Sequence, residues 1–184
     1  MKNKDYKKSS SEELMLIIAD GDHKAFEELL LRHQKKAWCI AYKMLNNNED
    51  AEDAVQESFI KLYQNAERYR TRAKFSTFFY RIIINVCIDH LRKSKASKDQ
   101  QITDDVPVMD GSIKELLDGE RKEFIQKAID SLPENQKVAI IMKHYEGMQY
   151  KEIADVLDTT PKAIESLIAR ARKTLSKILS SLKE

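Results

Sequence analysis

"LDTTPKAIESLIARARKTL", residues 157–175, decides how the C-terminal part of this 184-residue chain is read. Pro161 is one of only three prolines. It follows two threonines and precedes a long run with helical spacing. Thr160 suits the N-cap, where its hydroxyl accepts a hydrogen bond from an otherwise orphaned backbone N–H. Pro161 suits the first helical position, where its missing N–H costs nothing. A helix therefore starts here, with Ile164, Leu167, Ile168 and Leu175 turned inward. Lys162, Ala163, Glu165, Ser166 and Ala169 turn outward, followed by Arg170, Arg172 and Lys173.

Working upstream, "QYKEIADVL" (149–157) makes a short helix whose small Ala154 lets another helix cross closely, and Asp158 and Thr159 make the turn. A short helix, a tight turn and a second helix with a defined start form a helix-turn-helix. In that motif the N-terminal residues of the second helix face base edges in the major groove. The polar residues from Lys162 to Ser166 suit bases, and the later basic ones suit the phosphate backbone. A helical hairpin from a protein-interaction module is the alternative. Before it, "SLPENQKVAIIMKHYEG" (131–147) supplies a helix entered at Ser131 and Pro133, striped by Val138, Ile141 and Met142 and ended by Gly147. Helical character resumes from Gly119, with Phe124, Ile125 and Ala128 recurring.

A net charge of +2 hides strong segregation. Residues 1–95 carry 18 basic and 14 acidic side chains, residues 96–120 carry two and seven, and residues 121–184 carry 12 and nine. The acidic middle piece holds Pro107, Gly111 and scattered Asp without sustained periodicity, so it reads as a flexible linker. The expected fold is all-α: two small helical domains, residues 12–95 and 119–182, joined by an acidic linker at 96–118.

Within the first domain, "NEDAEDAVQESFIKLYQ" (48–64) places Ala51, Ala54, Val55, Phe59 and Leu62 on one helix face. Asp50, Asp53 and Glu57 share the opposite face, with Glu49 and Glu52 at its edge. Taken by itself, this face reads first as a solvated one. "RYRTRAKFSTFFYRIIINVCIDHLRKSK" (68–95) inverts the sign, with eight basic residues against Asp89, interleaved with Tyr69, Phe75, Phe78, Phe79 and Tyr80. Ile82, Ile83, Val86 and Cys87 have the spacing of core contacts. Basic residues mixed with rings suit a nucleic-acid surface that neutralises phosphates and stacks unpaired bases. The alternative is that the rings are core and the charges merely solvated.

Other chemistry is thinly represented. Cys39 and Cys87 lie far apart in apolar helical surroundings and read as small buried hydrophobes. The four histidines form no ligand constellation, and no phosphate loop, nucleophile elbow or HExxH is present. No metal, cofactor or enzymatic activity is expected. The short apolar run "LMLIIA" (14–19) is flanked by polar residues and suits no signal peptide. No apolar segment approaches the roughly 20 residues that span a bilayer. A cytoplasmic protein without membrane insertion is expected.

With both halves in view, the chain resembles the bacterial RNA polymerase sigma factors of the extracytoplasmic-function group, in the sigma-70 family. "DAEDAVQESFIKLY" (50–63) is similar to the second region, which docks on the polymerase clamp helices. "KFSTFFYRIIINVCIDHLRK" (74–93) is similar to the segment that reads and melts the −10 element, usually F-x-T-W-L-Y-R-I-A-x-N-x-x-x-D-x-L-R; Phe75, Thr77, Tyr80, Arg81, Ile82, Asn85, Asp89, Leu91 and Arg92 fall on it. Residues 132–175 are similar to the fourth region, which binds the −35 element. Phe78 stands in place of the usual tryptophan, Ile83 where alanine is common, and Asp158 in place of the common turn glycine, in a left-handed conformation that Asp tolerates better than most residues.

The resemblance implies core RNA polymerase, promoter DNA and an anti-sigma factor as partners. It implies polymerase docking by Asp50, Asp53, Gln56 and Glu57. It assigns −10 contacts to Lys74, Thr77, Phe78, Arg81, Asn85, Asp89 and Arg92, and −35 contacts to Thr160, Lys162, Glu165, Ser166, Arg170 and Arg172. The rivals are a stand-alone helix-turn-helix regulator, a protein-interaction module such as a sigma antagonist and, last, an enzyme of nucleic-acid metabolism.

Overall fold

In the computed structural model the described residues are 6–70, 74–98 and 124–180, and all their regular structure is helical. Four helices come first: α1 (Ser11–Ala19), α2 (His23–Leu45), α3 (Asn48–Gln64) and α4 (Phe75–Lys98), with a 3-10 turn at Ala66–Arg68. Four follow: α5 (residues 124–130), α6 (Glu134–His144), α7 (Tyr150–Leu157) and α8 (Pro161–Ser180). The chain divides into two compact units, one of residues up to His90 and one of most of the chain beyond it.

Local chemistry sets the helix limits in the first unit. Ser10 accepts from the Glu13 N–H while Glu13 reaches back to the Ser10 N–H, a complete capping box at the start of α1. Asp22 accepts from the N–H groups of Lys24 and Ala25 to start α2. Asn46 closes α2 in the left-handed conformation, and Asn47 caps α3 through the Asp50 N–H. The core is laid down by Leu14, Met15 and Ile18 of α1, Leu29, Ile40 and Met44 of α2, Phe59 and Leu62 of α3, and Phe79, Ile83 and Val86 of α4. Ala51 and Ala54 are fully buried on the α3 face that meets α2, where small side chains permit close approach.

The second unit packs α6 against α8. Val138, Ile141 and Met142 of α6, Ile153 and Ala154 of α7, and Ile164 and Ile168 of α8 are buried. Lys137, 3% exposed, is satisfied by an ion pair of 2.6 Å with Asp130.

Several expectations need correcting. Residues 96–98 are helix, continuous with α4, because Ala-Ser-Lys contains no breaker; the rest of the expected linker lies outside the described residues. Ser131 does not start α6. Its hydroxyl bonds the Ala128 carbonyl at the end of α5, and Pro133 occupies the N-cap without a side-chain bond. Ile84 is buried and Ile82 only half so. Ala171 is buried on α8, whereas Leu167 and Leu175 are half-buried. Cys87 is buried as expected, but Cys39 is partly exposed.

Candidate functional site

Three helices carry the residues singled out from sequence. On α3, Asp50, Asp53 and Gln56 are exposed, each three residues from the next and so neighbours on the helix surface. Glu57 is held instead. Its carboxylate meets Lys61 Nζ at 2.8 Å and His90 Nε2 of α4 at 3.1 Å. Hydrogen bonding to Lys61 and then to His90 keeps its pKa below the usual carboxylate value, although burial opposes this. Gln56 also lines an apolar groove of about 390 Å³ between α2 and α3, with Phe26, Leu30, Gln34, Val55, Phe59 and Ile60. Ile60 is 56% exposed beside the acidic face.

On α4, Lys74 leads into the helix, Thr77 and Phe78 lie three and four residues on, and Arg81, Asn85, Asp89 and Arg92 follow at steps of three or four. They form one stripe that is exposed or half-exposed throughout and spans roughly 27 Å at helical rise. The opposite stripe, Phe75, Phe79, Ile83, Val86 and Cys87, is buried. The basic-aromatic pattern therefore splits in two. Four of its five rings, Tyr69, Phe75, Phe79 and Tyr80, are core, and only Phe78 keeps part of its face open. Phe78 tilts against Tyr69 at 5.3 Å. Phe79 packs on Phe59 at 4.9 Å, which ties α4 to α3.

The helix-turn-helix forms as the sequence indicates. Asp158 sits at φ +52 in the left-handed region, and the Thr159 N–H bonds the Ala154 carbonyl, which closes α7 in a Schellman-type turn. Thr160 Oγ1 then accepts from the Ala163 N–H at 3.2 Å. Ile164, Ile168 and Ala171 face inward. Thr160, Lys162, Glu165, Ser166 and Arg170 are exposed over the first turns of α8, and Arg170 Nε bonds the Ser166 carbonyl. Arg172 is exposed on another flank, with its guanidinium 3.4 Å from His144 Nε2 of α6.

Residues 29–97 match Sigma-70 region 2 and residues 123–175 match Sigma-70 region 4. The chain belongs to the sigma-70 family, in its extracytoplasmic-function group. This sigma factor is 30% identical to the ECF RNA polymerase sigma factor SigM of Mycobacterium tuberculosis, over 94% of this chain and 86% of that one. It is 31% identical to SigW of Bacillus subtilis, over 90% and 94%. The fold is that of CnrH, solved in complex with the cytosolic domain of CnrY, at a TM-score of 0.71 and 23% identity, covering 94% of this chain and 99% of that one. RpoE of Bartonella quintana, solved with the anti-sigma factor NepR, superposes at a TM-score of 0.66 and 22% identity, covering 85% and 98%. As a sigma factor the protein directs promoter-specific initiation of transcription. Among the described residues no helix is long and apolar enough to cross a membrane, and no group of three or more metal-ligating side chains comes together.

Sequence reading missed the residues that hold this sigma factor's surfaces from behind. His90 reaches Glu57 across 33 residues, and Glu12 reaches the Phe75 N–H across 63. Neither pairing has a periodic signal, because each joins separate helices.

Proposed function

We propose that the two helical domains, residues 12–95 and 119–182, divide promoter recognition between them. The α4 stripe captures unpaired −10 bases, with Phe78 as the stacking ring, Thr77, Arg81 and Asn85 at base edges, and Lys74 and Arg92 at phosphates. The first turns of α8 enter the −35 major groove, with Lys162, Glu165 and Ser166 facing bases and Arg170 and Arg172 the backbone. Asp50, Asp53, Gln56 and Glu57 dock on core RNA polymerase. The observation that carries this reading is the separation of each helix into one buried stripe and one polar stripe of the right chemistry.

Such a protein does no bond chemistry of its own. It lowers the cost of melting by binding the melted strand, since stacking on a ring offsets the loss of stacking in the duplex. It works in the cytoplasm, where polymerase is. An anti-sigma factor is a further partner, supported by the two similar folds solved with protein partners, one of them an anti-sigma factor.

Transcription by core polymerase on a pool of genomic promoter fragments, with and without this protein, tests the reading. New transcripts with fixed start sites, lost on charge reversal at Asp53, are expected. Asp53 serves better than Glu57 here, because a cation at 57 would also meet Lys61 and His90. Specific retention of duplex DNA by the protein alone, with no transcripts, would favour a stand-alone regulator.

A further inference from the structure

α1 lies outside the residues matched to region 2, yet its side chains hold the start of α4. Glu12 Oε1 accepts a hydrogen bond of 2.9 Å from the Phe75 N–H, the first of that helix. Beside it, Ser11 Oγ stands 2.8 Å from His33 Nε2, and the His33 ring packs on Phe75 at 4.7 Å. Tyr69 is buried under the same carboxylate: burial, and then the charge of Glu12, raise its hydroxyl pKa. Tyr69 in turn backs the partly exposed ring of Phe78.

The first N–H groups of a helix have no partner within it, and a carboxylate there satisfies a donor and complements the helix dipole. Caps usually come from the residue just before the helix. Here a helix 63 residues away in sequence supplies the bond, so the start of α4 is referenced to α1. Thr77 and Phe78 lie within one turn of that anchor. Each residue by which a helix start shifts rotates its face by about 100°, which would carry both side chains away from a captured base.

We propose that Glu12 is a positioning residue for −10 capture: its carboxylate sets the register at which Thr77, Phe78 and Arg81 meet unpaired bases. This rests on the reading of α4 as the −10 surface. The test uses holoenzyme assembled on core polymerase and a fluorescent single-stranded oligonucleotide bearing the non-template −10 sequence of a promoter found as above. Glu12→Ala should weaken oligonucleotide binding roughly 5- to 20-fold, the scale of a lost charged cap, at unchanged affinity for core. Glu12→Gln, whose amide oxygen still accepts the Phe75 N–H, should recover most of it. Ile18→Val, which trims the α1 core and leaves the Glu12 carboxylate in place, should lower the melting temperature yet leave oligonucleotide binding intact.

Equal binding by wild type and Glu12→Ala overturns the inference, and so does an equal loss in Ile18→Val, which would reduce Glu12 to a stability contact. If wild-type holoenzyme fails to bind the oligonucleotide, the −10 reading itself fails and takes the inference with it.

Discussion

His33 is altered by its surroundings. Burial lowers its pKa below 6.5, the charges of Arg32 and Lys36 lower it further, and Glu12 opposes them. The unfolded chain therefore binds more protons than the folded one between the folded pKa and 6.5. Stability rises with pH across that window. The contribution of a neutral His33 is complete above 6.5 and is lost as pH falls through the folded value. Urea midpoints should decline on acidification below 6.5, and His33→Gln should flatten that decline. Glu57 gives a separate, more acidic window: its pKa is lowered from 4.5 by Lys61 and His90, so its contribution is present above 4.5 and lost as pH falls through the folded value. Asp158 offers a test of backbone strain. Its φ of +52 suits glycine, so Asp158→Gly should leave stability unchanged or raise it by up to about 1 kcal/mol, whereas Asp158→Val should cost about 1–2 kcal/mol.

At the scale of the element, α8 depends on its start. Removing the Thr160 hydroxyl frees the Ala163 N–H. Thr160→Ala should cost about 1 kcal/mol of stability in chemical denaturation. Binding of holoenzyme to a −35 duplex should weaken with it, because the first turn carries Lys162 and Glu165. This helix was legible in advance because every signal for it is local: Thr-Pro at the start, Asp in the left-handed turn, and isoleucines at i and i+4. α4 was legible as a helix, but the fate of its rings was not. Five aromatics among eight cations look the same whether they face bases or a core, and the choice falls to partners such as Phe59 and His33 that lie elsewhere in sequence. Ser131 misled for the opposite reason. A serine two residues before a proline suits the start of the next helix as well as the end of the last, and its hydroxyl takes the Ala128 carbonyl. Burial of the α4 core face predicts that Ile83→Ala costs about 2–5 kcal/mol, although alanine is common there in the family. Ile83 is fully buried here, so trimming it leaves a void that a thermal or urea melt would reveal.

For the whole molecule, the alternation of charge along the chain assigns different salt dependences to its two kinds of binding. Promoter contact displaces counterions from DNA, so the logarithm of affinity falls linearly with the logarithm of salt. Arg170→Ala, which removes one cation on the α8 surface, should reduce the magnitude of that slope by about 1 while weakening different −35 sequences alike. The docking proposed for the acidic face of α3 would work by steering. Opposite charge across an interface accelerates encounter more than it strengthens the complex, and salt screens the acceleration. Asp53 is the cleanest handle, being exposed and with no ion pair of its own described. Asp53→Lys should slow association with core polymerase about tenfold at low salt, with a smaller effect on dissociation, and the two proteins should converge as ionic strength rises. Stopped-flow association at several salt concentrations separates these rates. A uniform loss at every salt concentration would mean that Asp53 acts through a short-range contact. No loss at all would return the acidic face of α3 to a solvated surface and leave docking to the apolar groove beside Gln56 and Ile60.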